Sequence, residues 1–586
     1  MRSILSLMLL IPALLFAGNQ QSDVVTVEGR VPMDRIAANR VAPPNNKPFT
    51  VTVGWVDTIG GTTYDWFANG PSYRWLVNSP SYGLHAGWMA SSEPGGGFTD
   101  RNMRYNFYDY GSGSWFWIDP DFMASGVGVY TIRSGFGNLD ADPVTGIAVF
   151  SAHQNPNNQG WRPVLARDMA PGSGIFEYCD GAPNALPYLW PPIAIDANQV
   201  VHCALIDSLT KNQLYYSQVA TWCNWTTPAS VPPPQPDPNF PDQNIAASKT
   251  SQKVCITWVY STESGYMDCP GFYRLSNDGG ANWDAPRVLE DPPAYGPDTS
   301  PSFTITSLFP FFDSQDRLHI VAGITPYVRD TNWILPAEIW HWCPDNNPQW
   351  SKIHRADAES LAAGVGSNAS LACRPSIGED NQGNLYVAWE QFDPLNADPI
   401  TSLLRADIYA AKSSDGGATW YSVKKLTEAG TASCRYPSIA DKMVELGEAI
   451  YVPVFYMIDQ MAGSIVNDPP QGTATNNPVV VQWVPSDYFD GVAEQSKQGA
   501  NRIELNAVPN PFTNRTLISY ALPKDGAVSI NLYDITGRPV QTIVKGYKSA
   551  GYHSVTLNSG QLPAGVYFCT LKTNNSSLTK RLTIVR

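Results

Sequence analysis

Charge is scarce in this chain. Asp, Glu, Lys and Arg make up only 15% of its 586 residues, too little to clothe the exposed faces of long surface helices. The seven histidines are scattered and show no HExxH or similar spacing, which argues against a zinc hydrolase of that kind. None of the nine cysteines falls in a CxxC pair, so zinc-ribbon and thioredoxin-like chemistry have no support either. Beyond the first twenty residues no apolar run is long enough to cross a bilayer as a helix, and no permanent transmembrane segment is expected.

Proline (49), glycine (46) and aromatic residues (12%) are plentiful, and the apolar residues fall in short runs. That is the composition of many short strands and turns, hence an all-β protein. The net charge of -14 is unevenly placed: from Asn501 onward there are ten Lys and Arg against three Asp and Glu, which leaves -21 on the rest. An acidic body argues against a nucleic-acid partner, and the basic tail marks a separate module. At the other end, Arg2, the apolar run Ile4–Phe16 and the small pair Ala17-Gly18 read as a signal peptide over 1–17. In an exported chain some cysteines pair, and Cys203–Cys223 and Cys255–Cys269 are the nearest candidates.

Residues 18–46 read as a linker, and Phe49–Asp57 is the first clear strand. A unit then recurs, a short strand, a turn and an apolar strand, around Tyr82–Ala90, Asp140–His153, Ile193–Asp207, Ile245–Tyr260, Phe303–Ile324, Pro375–Glu390 and Pro437–Phe455. A loose period of roughly fifty to seventy residues fits a β-propeller over 47–490. About seven blades are expected, with six the alternative because the first unit is divergent. The strand at Phe49–Asp57 is expected to close the ring by joining the last blade. A linker over 491–502 then leads to 503–586, whose alternation, as in AVSINLYD and GVYFCTLKT, gives a small Ig-like β-sandwich.

Ser276–Trp283 (SNDGGANW) recurs as Ser413–Trp420 (SSDGGATW). It resembles the Asp-box, S-x-D-x-G-x-x-W, of the sialidase and BNR-repeat propellers. The resemblance implies structural roles: Ser276, Asp278, Gly280, Ser413, Asp415 and Gly417 shape a turn, and Trp283 and Trp420 pack between sheets. It also implies what an enzyme of this kind needs. Sialidases hold the substrate carboxylate with three arginines, and use a Tyr nucleophile with a Glu partner and an Asp acid/base. Arg374 (CRPSI) and Arg435 (CRYPSI) stand at the same place in consecutive units, and Arg133 (TIRSGF) precedes another; Glu390, Tyr436 and Asp380 are the candidate partners. The family's F/Y-R-I-P motif is absent, Tyr73-Arg74-Trp75-Leu76 being a poor substitute. CRPSI and CRYPSI equally suit a structural role, with Arg bonding strand carbonyls and Cys373 and Cys434 packing or pairing. The loop carboxylates Asp140 and Asp142 are the candidates for a structural calcium ion; no other cofactor is expected.

The tail carries AVPNPF, SINLYDITGRPVQTI, LPAGVYFCTLKT and the closing KRLTIVR, and resembles the type A C-terminal sorting domain of the type IX secretion system. Its matching residues are Pro509, Asn510, Pro511, Tyr533, Asp534, Gly537, Arg538, Gly565, Tyr567 and Lys580. The resemblance implies the secretion machinery and a sortase as partners, and a secreted or outer-surface location on a Gram-negative-type bacterium. Tyr533, Val566 and Phe568 are the candidates for this module's core, although strict alternation places Val566 and Phe568 together on one face. For the propeller, three functions stand open: binding of glycans or other extracellular polymers, a sialidase-like exo-glycosidase, or a structural part of the envelope.

Overall fold

The computed structural model describes residues 30–31, 47–69, 72–181, 187–211, 213–231, 242–259, 270–289, 292, 300–302, 308–327, 333–490, 503–508, 510–513, 515–522, 524, 526–548, 551–560, 562–573 and 576–585. The expected signal peptide, the 491–502 linker, Cys269 and Pro509 lie outside them. Among the described residues regular structure is strand, apart from three short 3-10 turns, and no helix is long and apolar enough to cross a membrane. The chain divides into two compact units, Met1–Glu494 and Gln495–Arg586.

The first unit is a seven-bladed propeller of antiparallel sheets. From the axis outward, blade 1 holds Leu76–Ser79, Gly83–Ala90, Asn102–Asp109 and Ser114–Trp115, and blade 2 holds Leu139–Ala141, Ala148–Gln154, Arg162–Asp168 and Phe176–Asp180. Blade 3 holds Ile193–Ile195, Val201–Asp207, Leu214–Val219 and Ala229–Ser230; blade 4 holds Asp242–Ala247, Val254–Val259, Gly271–Ser276 and Arg287–Val288. Blade 5 holds Phe309–Phe312, Leu318–Tyr327, Ala337–Trp342 and Trp350–Ala356; blade 6 holds Ala372–Glu379, Leu385–Ala397, Leu404–Ser413 and Lys424–Lys425. The second strands of blades 3 and 4, VHCALID and VCITWV, are buried along their whole length, as sheets covered on both faces require.

Blade 7 is built from both ends of the unit. Ser433–Ile439, Ala449–Asp459 and Asn477–Pro485 come from its end, and the outermost strand is Trp55–Thr62, running antiparallel to the last from Trp55 opposite Trp483 to Thr62 opposite Asn477. The closing strand thus starts later than Phe49. Thr50–Val51 pairs instead with Thr427–Glu428 after blade 6.

The innermost strands are sheet edges, and their polar groups are met by the neighbouring blade. The Ile439 N–H donates to Ser376 Oγ (3.0 Å), the Trp75 N–H to Ser438 Oγ (3.0 Å) and the Ile193 N–H to Asn138 Oδ1 (2.7 Å). Further along, Ile195 donates to Asp140 Oδ2 and Asn78 to Asp441 Oδ1. The serines of CRPSI and CRYPSI therefore pin blade 6 to blade 7 and blade 7 to blade 1.

The disulfide expected between Cys203 and Cys223 is absent. Cys179, on the outer strand of blade 2, bonds Cys223 in the turn after the third strand of blade 3. Cys203 is in the second strand of that blade and, like Cys255, Cys373 and Cys434, is a buried free thiol.

In the second unit, Glu504–Val508, Arg515–Leu522 and Gly551–Asn558 form one sheet, and Pro539–Lys548, Gly526–Tyr533, Gly565–Thr573 and Ser577–Ile584 the other. Ile518, Ile530, Leu532, Tyr567, Cys569 and Leu571 make its core. This corrects the expected core: Val566 and Phe568 share the outer face, with Phe568 exposed, and Tyr533 is only partly buried.

Two outcomes follow from the ring. Ser438→Ala strands the buried Trp75 N–H and should lower stability by ~1–3 kcal/mol in guanidinium unfolding. Cys223→Ser opens a 44-residue loop and should cost ~2–4 kcal/mol under oxidising conditions, with no further loss on adding reductant.

Candidate functional site

Four of the candidate residues meet between blades 6 and 7. Glu390, on the second strand of blade 6, is fully buried and takes an ion pair on each oxygen. Arg374 Nη1 donates to Oε1; Arg435 Nε (3.2 Å) and the Tyr436 backbone N–H (2.8 Å) donate to Oε2. Arg374 Nη2 continues to the Asn368 carbonyl at 2.5 Å. The Tyr436 ring lies beneath both guanidiniums, 4.8 Å from that of Arg374 and 5.3 Å from that of Arg435, and its other neighbour is the stacked ring of Phe67.

The local backbone explains the convergence. Each inner strand has a register shift just before its Pro-Ser-Ile, between Cys373 and Ser376 in blade 6 and between Arg435 and Ser438 in blade 7. Such bulges re-aim side chains and are frequent beside active sites. At the bulge Arg374 (φ 53°) and Tyr436 (φ 57°) adopt the left-handed conformation directly before proline, a sterically disfavoured combination. The structural counterpart of Arg374 is therefore Tyr436, and that of Arg435 is Cys373. This corrects the equivalence of the two arginines: CRYPSI carries one residue more than CRPSI between its cysteine and its proline.

Two carboxylates that the sequence did not single out complete the cluster. Asp65, from the connection between the closing strand and blade 1, accepts Ser464 Oγ and the Ile465 N–H, both at 2.8 Å. Asp459 ends the second strand of blade 7, takes the Met461 N–H at 3.1 Å, and buries its Oδ2 without a partner. Burial raises the Asp65 carboxyl to about 6, against the pull of its donors and of Arg435. Burial, then the charge of Asp65, raises Asp459 well above the carboxylate range. Glu390 goes the other way: burial would raise it, but Arg435 and Arg374 outweigh that and hold it at about 2. Burial pushes the Tyr436 phenol up to about 12, with Glu390 and Asp65 adding to it and the two arginines opposing. Nothing in the sequence links Asp65 to its Ser464 partner, 399 residues away.

The other candidates lie apart. Asp380 braces the turn after the inner strand of blade 6, accepting Gln382 N, Asn384 N and the Tyr386 hydroxyl. Arg133 Nε donates to the Phe98 carbonyl at 3.1 Å. An arginine does line the cavity between the inner strands, but it is Arg74, from the segment set aside as a poor F/Y-R-I-P. Asp140 is engaged by Lys249 Nζ and two backbone N–H groups, and Asp142 by Val144 and Thr145. Among the described residues no group of three or more His, Cys, Asp or Glu is placed to hold a metal.

Both Asp-boxes are turns between the third and fourth strands. Ser276 Oγ accepts Gly280 N, and Asp278 accepts Asn282 N; Ser413 and Asp415 repeat this with Gly417 and Thr419. Each box also seats on the preceding blade through a polar relay. In blade 3, Asp196 faces His202, which bonds Tyr216 (2.7 Å), whose ring meets Trp283 at 4.9 Å. In blade 5, Asp313 faces His319, which bonds His341 (2.8 Å), whose ring meets Trp420 at 5.5 Å. Gly280 and Gly417 have no room for a Cβ, which would lie 1.9 Å from the Tyr216 hydroxyl and 2.2 Å from the His341 ring.

In the second unit, Asn510 ties the start of the module to its last strand, donating to the Arg581 carbonyl (2.7 Å) and accepting Thr583 N (2.9 Å). Asp534, Gly537 and Arg538 form one turn, in which Asp534 accepts Arg538 N and Nε. The Tyr567 hydroxyl bonds the Pro563 carbonyl, and Lys580 pairs with Cys569 across the strands.

Residues 506–585 match the family described as "Secretion system C-terminal sorting domain". The tail is thus a type IX sorting module, and the protein is delivered to the cell surface or exterior by that system. No curated protein matches the chain. Similar solved structures include a polysaccharide lyase described as an ulvan lyase (10% identity, 72% of this chain and 96% of that one, TM-score 0.44). Another is the polysaccharide lyase Uly1 (9%, 79% and 98%, 0.40). A third is an α-L-arabinofuranosidase from Fusarium graminearum (12%, 59% and 91%, 0.34). These likenesses assign neither a site nor an activity.

Glu390→Gln leaves two buried guanidiniums without a counter-charge and should destabilise the propeller by ~3–5 kcal/mol. Because Glu390 sits at about 2 in the fold against an ordinary 4.5, its contribution is complete above pH 4.5 and is lost as the pH falls toward 2. Acid titrations of the wild type should show that slope, and those of the variant a shallower one. Asp65 has the opposite sign: ionising it within the fold costs stability as pH rises from 3.8 to about 6. Asp65→Asn should therefore melt above the wild type at pH 7.5 and with it below pH 4. For the boxes, Gly417→Ala at φ 81° should cost at least ~1 kcal/mol.

Proposed function

We propose that this protein is an exported propeller that binds glycans at the cell surface or outside the cell. The observation that carries the reading is an open aromatic platform on the closing strand. Trp55 is 40% exposed, and its indole stacks on buried Trp483 at 5.9 Å and 14° while the Tyr451 ring stands at 73° to it, 5.0 Å away. Trp483 Nε1 donates to Asp57 Oδ2 at 2.8 Å, so the underlying ring is fixed. A part-exposed indole braced by two rings suits the C–H face of a pyranose, since its apolar surface is already ordered before binding.

The arginine cluster supports binding over hydrolysis. Both guanidiniums are paired with Glu390, and Tyr436 is buried, so a substrate carboxylate would have to compete with an internal ion pair.

A sialidase-like hydrolase is the second reading. It is favoured by one fact: Tyr436, Glu390, Arg374, Arg435 and the high-pKa carboxyl of Asp65 share one site, the residue types a Tyr-based retaining mechanism uses. The test pairs a glycan array with a panel of fluorogenic glycosides, sialosides included. Binding that falls at least about tenfold in Trp55→Ala, with no turnover, is the expected result. Turnover of a sialoside that disappears in Tyr436→Phe would establish the hydrolase instead. Neither binding nor turnover from folded protein would leave a structural envelope component.

A further inference from the structure

The propeller axis holds a cavity of about 60 Å³, far below the ~300–1,000 Å³ of pockets that take drug-sized ligands but large enough for a few waters or a small ion. Inner-strand residues of blades 2, 3, 4 and 5 line it, together with Arg74 just before the inner strand of blade 1 and Asp441 and Lys442 just after that of blade 7. The Arg74 guanidinium donates to the carbonyls of Ile377 (3.2 Å) and Ile439 (3.4 Å) and lies over the rings of Phe309 and Phe311. A guanidinium carries five N–H donors, these two bonds leave the others over, and the side chain lines the cavity.

Among the described residues Arg74 forms no ion pair. Every other charge on the lining is in contact with a protein partner. Asp140 pairs with Lys249 and Lys442 with Glu379; Asp313 pairs with Arg317, and Asp441 accepts the Asn78 N–H. Burial accordingly lowers the Arg74 pKa, with the charges of Asp441 and Asp140 opposing from a distance. A partly buried cation above two aromatic rings, with donors left over and free volume beside it, lacks a counter-ion in contact.

We propose that the axial cavity is a binding site for one small monoanion, of halide or carboxylate class, held by the Arg74 guanidinium. The occupant completes the donor set of Arg74 and so ties the inner strands of blades 6 and 7, already joined through Ile377 and Ile439, to blade 1. The site is separate from the Glu390 cluster and from Trp55, and stands whether or not the protein binds glycans.

The test uses the whole protein. Melting is followed in sodium acetate, bromide and gluconate at equal ionic strength, gluconate being too large for the cavity. Wild type should melt about 2 °C higher in acetate or bromide than in gluconate, and Arg74→Gln, compared in the same three salts, should lose the difference. Since that variant also gives up two carbonyl contacts, crystals of the wild type soaked in bromide provide an independent reading. An anomalous peak within hydrogen-bonding reach of Arg74, displaced by acetate, supports a site shared by halide and carboxylate; a peak that acetate leaves in place limits it to halides. Bromide only at the surface, or melting that ignores the anion, overturns the proposal.

Discussion

A propeller has to satisfy the inner edge of every sheet without a further strand to pair with it. Here this falls to acceptor side chains on or beside the inner strands. Ser376, Ser438 and Asn138 each take the N–H of the next blade's inner strand, while Asp140 and Asp441 do the same nearer the turns. These bonds fix each blade's rotation against its neighbour, and with it the aim of everything the inner strands carry. The bulges at Arg374 and Tyr436 sit one residue before proline and two before such a serine. The strained backbone is thus held by the ring itself, which is how unfavourable conformations persist in folded proteins.

The charge cluster between blades 6 and 7 depends on this geometry. Two guanidiniums and a carboxylate without solvent are costly to bury, and the cost is offset only if every group finds a partner. Glu390 does: each oxygen has an ion pair, and one also has a backbone N–H. Asp65, which has a hydroxyl and an N–H but no ion pair among the described residues, and Asp459, with one bare oxygen, keep their protons to higher pH than a free carboxyl, so opposite titration behaviours sit within one cluster. Environments that push neighbouring groups apart in this way mark places where proton chemistry or switching is available, even though the arginines are committed to internal partners.

Much of the fold was legible because it is periodic. The seven units, the turn chemistry of Asp380–Gly383 and the two Asp-boxes repeat, and repetition exposes a pattern that one copy hides. The site was legible only in part. CRPSI and CRYPSI drew the eye to Arg374 and Arg435, but their equivalence failed because register follows the proline and the bulge, not the cysteine. Asp65 was invisible, since its partners stand some four hundred residues away and the carboxylate itself carries no motif. Arg74 was passed over because its neighbours fit no pattern, whereas its place on the axis comes from where blade 1 begins. The disulfide was missed for a related reason: proximity in sequence favoured Cys203, but the third-strand turn of blade 3 lies beside the outer strand of blade 2.

Closing the ring with Trp55–Thr62 sets an order of assembly. The strand that completes the last sheet is among the first made, and its partner, Asn477–Pro485, is among the last of the propeller. Until that partner emerges, the early strand has nothing to pair with and the growing stack of blades keeps two raw edges. A chain cut short before residue 477 would therefore be an open arc, with the exposed strand edges that invite joining to other copies. Placing the sorting module after this point means that a chain bearing its export address already contains the strand that shuts the ring.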